Sequence, residues 1–148
     1  MREILFRGKT KTGFWIEGFL FQTECDGVKE WCISMSPLSA NDYSEILGDY
    51  GEVIPETVGQ YTGLTDKNGN KIFEGDIVST KYKLGRGGYY VFEVYYNENL
   101  CQFALTINSG SYTKNQQYDW LQLTSLKAGK VEVIRTIHDN PELLKGEE

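Results

Sequence analysis

The sequence predicts a mainly β protein: an N-terminal β meander with one short helix, followed by a small, partly open β-barrel. Three observations carry that prediction. Aromatic residues make up 14% of the 148 residues, and 16 glycines stand against 3 prolines, a composition suited to many short strands and tight turns. Apolar and polar residues alternate at period two in several separate runs. Turn dipeptides, Asp26-Gly27 and Asn68-Gly69 above all, fall between those runs. The length suits one domain of the usual ~100–200 residues. Two subdomains sharing a core, 1–66 and 67–148, are the expected division, or one continuous domain.

Residues 1–35 read as the meander. Ile4 and Phe6 alternate with Glu3, Leu5 and Arg7, residues 8–13 form a polar loop, and residues 14–21 form an aromatic-rich strand. Asp26-Gly27 is a hairpin pair, and residues 28–35 return as the partner strand. Trp15 and Trp31 are expected in the core, where large aromatic rings contribute most. Residues 36–59 break the alternation. Asn41 or Asp42 can cap a short helix whose apolar face is Tyr43, Ile46 and Leu47, with Gly48 ending it.

The stretch 60–78 is the densest in turn chemistry. Asn68-Gly69 fits a two-residue type I′ hairpin, which sets Asp66 opposite Lys71, Thr65 opposite Ile72 and Leu64 opposite Phe73. A second register makes residues 66–69 one type I turn, with Asp at its first and Gly at its fourth position. Glu74-Gly75-Asp76 turns the chain again, and Asp76 can accept main-chain N–H bonds before Ile77 and Val78 begin a strand. Asp66, Glu74 and Asp76 are therefore either turn-forming acids on a solvated edge or a carboxylate cluster for a divalent metal. Turn formation is the commoner use of acids beside Gly and Asn, and it is the expectation taken here.

Beyond Val78 strands resume. Tyr90, Phe92, Val94 and Tyr96 share one face of a strand and Tyr89, Val91, Glu93 and Tyr95 the other, which argues for a well-covered position. Residues 97–99 turn into a strand with Cys101, Phe103, Leu105 and Ile107 inward, and residues 120–123 and 131–137 complete the set. A strand entered through Gly75-Asp76 and followed by four more antiparallel strands resembles an SH3-like barrel.

The remaining side-chain chemistry is sparse. Cys25, Cys32 and Cys101 have no metal-like spacing, and a single histidine, His138, leaves zinc without an ordinary ligand set. Reduced thiols are expected, with Cys32 and Cys101 buried in strands. No phosphate-binding glycine pattern and no nucleophile elbow is present, and no cofactor is expected. The net charge of −6 is unevenly spread: residues 24–66 hold nine acids and one base, residues 67–130 eight bases and five acids. An acidic chain is a poor general nucleic-acid binder. The local exception is a predicted hairpin that mixes Lys81, Lys83 and Arg86 with Tyr82 and Tyr89. Those residues could hold single strands by phosphate contact and stacking, or could simply keep an exposed hairpin solvated.

Three segments carry a family resemblance. Tyr61-Thr62-Gly63-Leu64, Asp66-Lys67-Asn68-Gly69 and Ile72-Phe73-Glu74-Gly75-Asp76-Ile77-Val78 resemble the signature of the YopX family, small proteins encoded by phages and prophages. The opening Met1-Arg2-Glu3-Ile4-Leu5-Phe6-Arg7 is similar to the family's first strand. Glu132-Val133-Ile134 and Ile137-His138-Asp139-Asn140-Pro141-Glu142-Leu143-Leu144 are similar to its closing segment. Arg135-Thr136 stand where that segment is expected to have Gly-Asn. The resemblance implies a mostly β fold and a phage or prophage origin, with Tyr61, Gly63, Leu64, Asp66, Asn68, Gly69, Glu74, Gly75, Asp76 and Ile77 as structural signature positions. It implies no activity.

The expectation is thus a non-catalytic accessory protein that acts by binding, with a host or phage protein or a single-stranded nucleic acid as partner. The competing class is a metal-dependent enzyme using Asp66, Glu74 and Asp76. No apolar run approaches the ~18 residues of a membrane span, and the charged N-terminus does not read as a secretory signal, so a cytoplasmic location in a bacterial host is expected. Uncovered strand edges and a strand apolar on both faces predict a homo-oligomer.

Overall fold

The computed structural model describes residues 3–35, 50–83, 89–106, 121–122 and 131–140. The chain is mainly β, its strands form two antiparallel sheets, and it divides into two compact units, Met1–Tyr61 and Thr62–Glu148.

The first unit is a meander. Strand β1 (Phe6–Lys9) pairs with β2 (Trp15–Cys25), β2 with β3 (Val28–Ser34), and β3 with β4 (Tyr50–Glu52). Asp26 and Gly27 both take positive φ, 50° and 78°, so the β2–β3 hairpin closes through a two-residue turn whose twist matches its strands. A single 3-10 turn, Pro55–Thr57, precedes β5 (Gly59–Thr65), which lies against the other edge of β1. The helix expected at Tyr43, Ile46 and Leu47 lies outside the described residues.

β4 pairs with Cys32, Ile33 and Ser34, and those three are the buried residues of β3. Trp31, expected in the core, is 38% exposed, although its carbonyl accepts Val53 N at 2.9 Å just past β4. Trp15 is half-buried, and the Arg7 guanidinium lies over its ring at 4.7 Å from the centroid. Leu5, rather than its neighbour Ile4, faces the interior; Ile4 is 56% exposed.

The second unit contains the end of β5, β6 (Lys71–Phe73) and a five-stranded sheet. That sheet comprises β7 (Asp76–Lys83), β8 (Tyr89–Asn97), β9 (Gln102–Thr106), β10 (Leu121–Gln122) and β11 (Val131–Thr136), in the order β10-β9-β8-β7-β11. Four strands meander and the last returns to the free edge of the first, as an SH3-like barrel requires. β10 and β11 are not paired, so the barrel stays open among the described residues. Ile72, Val78, Phe92, Val94, Leu105 and Val131 form its core, with Leu64, Phe103 and Val133 packed against them. Cys32 is buried as expected, and burial pushes its thiol pKa up. Cys101 is not: it ends the loop before β9 at φ 50° and is exposed. Alternation cannot be extrapolated back through a residue in the left-handed region, because such a residue leaves the pleat. Ile107 lies outside the described residues.

Candidate functional site

Asp66, Asn68 and Gly69 of the signature lie in one loop, residues 66–70. Gly69 N donates to the Asp66 carbonyl at 3.1 Å, and Gly69 takes φ 86°. Asn68 is not among the positive-φ residues, so a type I′ turn is ruled out. Asp66 N donates to the Asn70 carbonyl at 2.8 Å, which sets Asp66 opposite Asn70 rather than Lys71. The type I register, with glycine closing a three-residue loop, is the one adopted.

Asp66 organises this loop through its carboxylate, although the residue is only 4% exposed. Its Oδ1 accepts the main-chain N–H groups of Asn68 and Asn70 at 2.8 and 2.9 Å. Its Oδ2 accepts the Asn70 side-chain amide at 3.1 Å and Val133 N at 3.2 Å. Burial raises the carboxyl pKa, but the bonds from Asn70, Val133 and Asn68 outweigh burial and hold it below the ordinary value of 3.8. Around it, Lys67 N donates to the Val131 carbonyl at 3.0 Å, Lys67 Nζ pairs with Glu132, and the Asn68 side-chain amide reaches Glu132 Oε1 at 3.3 Å. Lys67 also holds the Glu132 carboxyl below its ordinary value.

Glu74 and Asp76 serve a second turn. Asp76 is fully buried, and its Oδ2 accepts Phe73 N at 2.8 Å. Glu74 Oε1 accepts Tyr96 N at 3.4 Å. Between them Gly75 takes φ 79°, donates to the Val94 carbonyl at 2.8 Å and accepts from Ile137 N at 2.9 Å. A Cβ here would lie 3.3 Å from His138 Nε2, so the glycine admits both the turn and the imidazole packed on it. Asp66, Glu74 and Asp76 thus bond to separate stretches of main chain. Among the described residues, no three His, Cys, Asp or Glu side chains come together in a way that could hold a metal ion.

The other signature positions also pack or bond within the chain. Tyr61 is buried and its N–H donates to the Leu5 carbonyl, Ile77 is fully buried, and Leu64 packs on the second core. Thr62 Oγ1 donates to the Ile72 carbonyl at 2.8 Å and accepts Leu64 N at 3.2 Å, beside Gly63 at φ 85°. Where Gly-Asn was expected, Thr136 Oγ1 donates to Asp139 Oδ2 at 3.0 Å and accepts Asp139 N at 3.1 Å, closing a turn after β11. Of the predicted nucleic-acid residues, Lys81, Tyr82 and Lys83 lie on β7 and Tyr89 opens β8. Lys83 pairs with Tyr89, which places those two side by side on the sheet. The side chains of these four, and all of Arg86, lie outside the described residues.

Glu132 and Val133 are the site residues that sequence reasoning did not assign. They sit more than sixty positions from the loop, and the Val133 contribution is a main-chain amide, which no residue type advertises.

A family described as "YopX protein" matches residues 6–145. The chain belongs to the YopX family. Among solved structures, this YopX-family chain is similar to "Crystal structure of protein EF1440 from Enterococcus faecalis", at 24% identity and a TM-score of 0.50, over 97% of this chain and 99% of that one. That likeness concerns the fold. No curated protein matches the sequence.

Proposed function

We propose that this YopX-family protein is a non-catalytic phage or prophage accessory protein that acts by binding. One observation carries the reading: the carboxylates of the signature are engaged in holding main chain. Asp66 accepts four N–H bonds, Asp76 bonds Phe73 N and Glu74 bonds Tyr96 N. An enzyme needs its acids directed at a substrate or metal. Among the described residues no helix is long and apolar enough to cross a membrane. A location in the host cytoplasm is part of the proposal. A protein partner fits the net charge of −6 better than nucleic acid does.

Calorimetric titration with Mg²⁺, Mn²⁺ and Ca²⁺ is expected to give no binding heat. Micromolar affinity lost on Asp76→Ala would instead establish the metal-dependent reading. Single-stranded oligonucleotide binding that weakens with salt, and is lost in a Lys81, Lys83, Arg86 triple alanine variant, would move the partner to nucleic acid.

The protein is further expected to self-associate. Phe14, Val28 and Met35 of the first unit are 72%, 59% and 55% exposed, and a second copy covering such residues would remove apolar area from water. Light scattering at micromolar concentration is expected to give a multiple of the 16.9 kDa chain mass. A mass near the single chain across a tenfold dilution would show a monomer.

A further inference from the structure

β11 is an end strand of its sheet, and it is six residues long. An end strand normally presents unpaired N–H and C=O groups, a template on which another chain can add a strand. Its sequence, Val-Glu-Val-Ile-Arg-Thr, is rich in β-branched residues and suited to such pairing. The strand at the opposite end, β10, has two residues and offers little to pair with.

The outer edge of β11 is occupied. Val131 and Val133 lie two apart, so in a pleated strand their main-chain groups point to the same side. Val131 O accepts Lys67 N, and Val133 N donates to Asp66 Oδ2. A neighbouring strand would offer one N–H and one carbonyl at these places. The 66–70 loop offers one N–H and a carboxylate oxygen standing in for the carbonyl. The same loop engages the side chain between them, since Glu132 is bonded by Lys67 Nζ and by the Asn68 amide.

We propose that the 66–70 loop is a cap on β11, and that it withholds this edge from pairing with a second copy of the chain. The occupant follows from charge. The register of β11 on β7 slips by one residue between Val133 and Arg135, which brings Glu132 and Arg135 to the same face, opposite Ser79 and Ile77. Antiparallel pairing of β11 with its own copy about a twofold axis at that slip sets Glu132 opposite Arg135 twice, a self-complementary register. Arg135 is exposed, while Glu132 is held by the loop. The cap therefore covers the edge and engages one half of the charge pair that would align the copies.

Lys67→Pro in the full chain tests this. Lys67 is the second residue of the type I turn, where proline is favoured, and Asp66 before it directly follows β5, which ends at Thr65. The substitution keeps the turn and removes the Lys67 N–H and the ammonium. The expected result is faster hydrogen exchange at the Val133 amide and a mass that doubles, relative to wild type under the same conditions, as concentration rises. Adding Arg135→Glu, which sets like charges opposite one another, is expected to restore the wild-type mass. Faster exchange with an unchanged mass overturns the proposal, as does unchanged exchange, because the loop would then not be what occupies the edge. Association that survives Arg135→Glu overturns the assigned register. Asp66→Asn, which keeps one acceptor but weakens the hold on Val133 N, is the second variant should Lys67→Pro fail to fold; if neither folds, the loop is a folding determinant and the cap is refuted. The mass of the wild type itself bears only on its own self-association, so the two results are separable.

Discussion

Gly18→Ala is expected to unfold the first unit. Gly18 lies in β2, paired with Phe6 of β1, and its neighbour Phe19 pairs with Ser34 of β3. A Cβ at this position would stand 1.9 Å from the Ser34 carbonyl oxygen and 2.7 Å from its carbon. Those are main-chain atoms, in a strand held on both sides by β2 and β4, and no rotamer change relieves the overlap. The strands must separate, which breaks the ladder beside Ser34 and Ile33, both buried. Gly18 also takes φ 159°, a value that L side chains rarely adopt. Overpacking and backbone strain each cost ~1–3 kcal/mol, so a combined loss of about 4 kcal/mol is expected. A unit this small rarely has more than ~3–5 kcal/mol to lose. Gly13→Ala is the control: Gly13 has φ 92° but no atom within 4 Å of its Cβ position, so only strain is added, about 1 kcal/mol. Denaturation midpoints, with hydrogen exchange across β2 and β3, compare the two variants. A Gly18→Ala protein with the wild-type midpoint and protected strands would show that the close approach to Ser34 is wrong.

Local rules carried the sequence reading as far as local causes reach. Asp26-Gly27 closes the β2–β3 hairpin because two adjacent residues supply both positive φ values the turn needs. Phe92 and Val94 were legible as sharing one face of β8, but both faces of that strand are largely apolar, so the two-residue repeat alone does not say which face is the core. Asn68-Gly69 left two registers open, and neither residue decides between them. Asn70 does, by pairing with Asp66 and adding its own side-chain bond. Trp31 was misplaced because residue type does not say which end of a strand is buried: Cys32, Ile33 and Ser34 are buried, and Trp31, next along β3, is 38% exposed. Cys101 was misplaced because β8 runs on through Asn97 and β9 begins only at Gln102, one residue later than the turn read at residues 97–99 implied. The Asp66 bond to Val133 was out of reach for a different reason: its donor is a main-chain amide, identical at every position but proline.

Asp66→Ala is expected to destabilise the protein by about 4 kcal/mol, with part of that loss readable from its pH dependence. Removing the carboxylate leaves the Asn68 and Asn70 amides, the Asn70 side chain and Val133 N without their acceptor. Bonds to a charged acceptor contribute ~1.5–3 kcal/mol each, and water recovers part of this at the exposed Asn68 and Asn70 but less at half-buried Val133. The carboxyl is held below 3.8 when folded, because the donors from Asn70, Val133 and Asn68 outweigh the opposing effect of burial. Between the folded and unfolded pKa values the unfolded chain therefore binds more protons, and stability rises with pH. The Asp66 contribution is complete above the unfolded carboxyl value, about 3.9, and is lost as pH falls through the lower folded value. Glu132, held down by Lys67, acts in the same direction. Wild-type stability should thus fall steeply in acid, and Asp66→Ala should flatten that limb while lowering the plateau at neutral pH. Asp66→Asn separates shape from charge: it keeps one carbonyl acceptor and turns an amide toward the donors, so it should recover part of the plateau and none of the acid slope. Urea denaturation from neutral pH down through the carboxylate range measures all three proteins. An acid limb in Asp66→Ala as steep as the wild type would show that this carboxylate is not the group that ties the loop to β11.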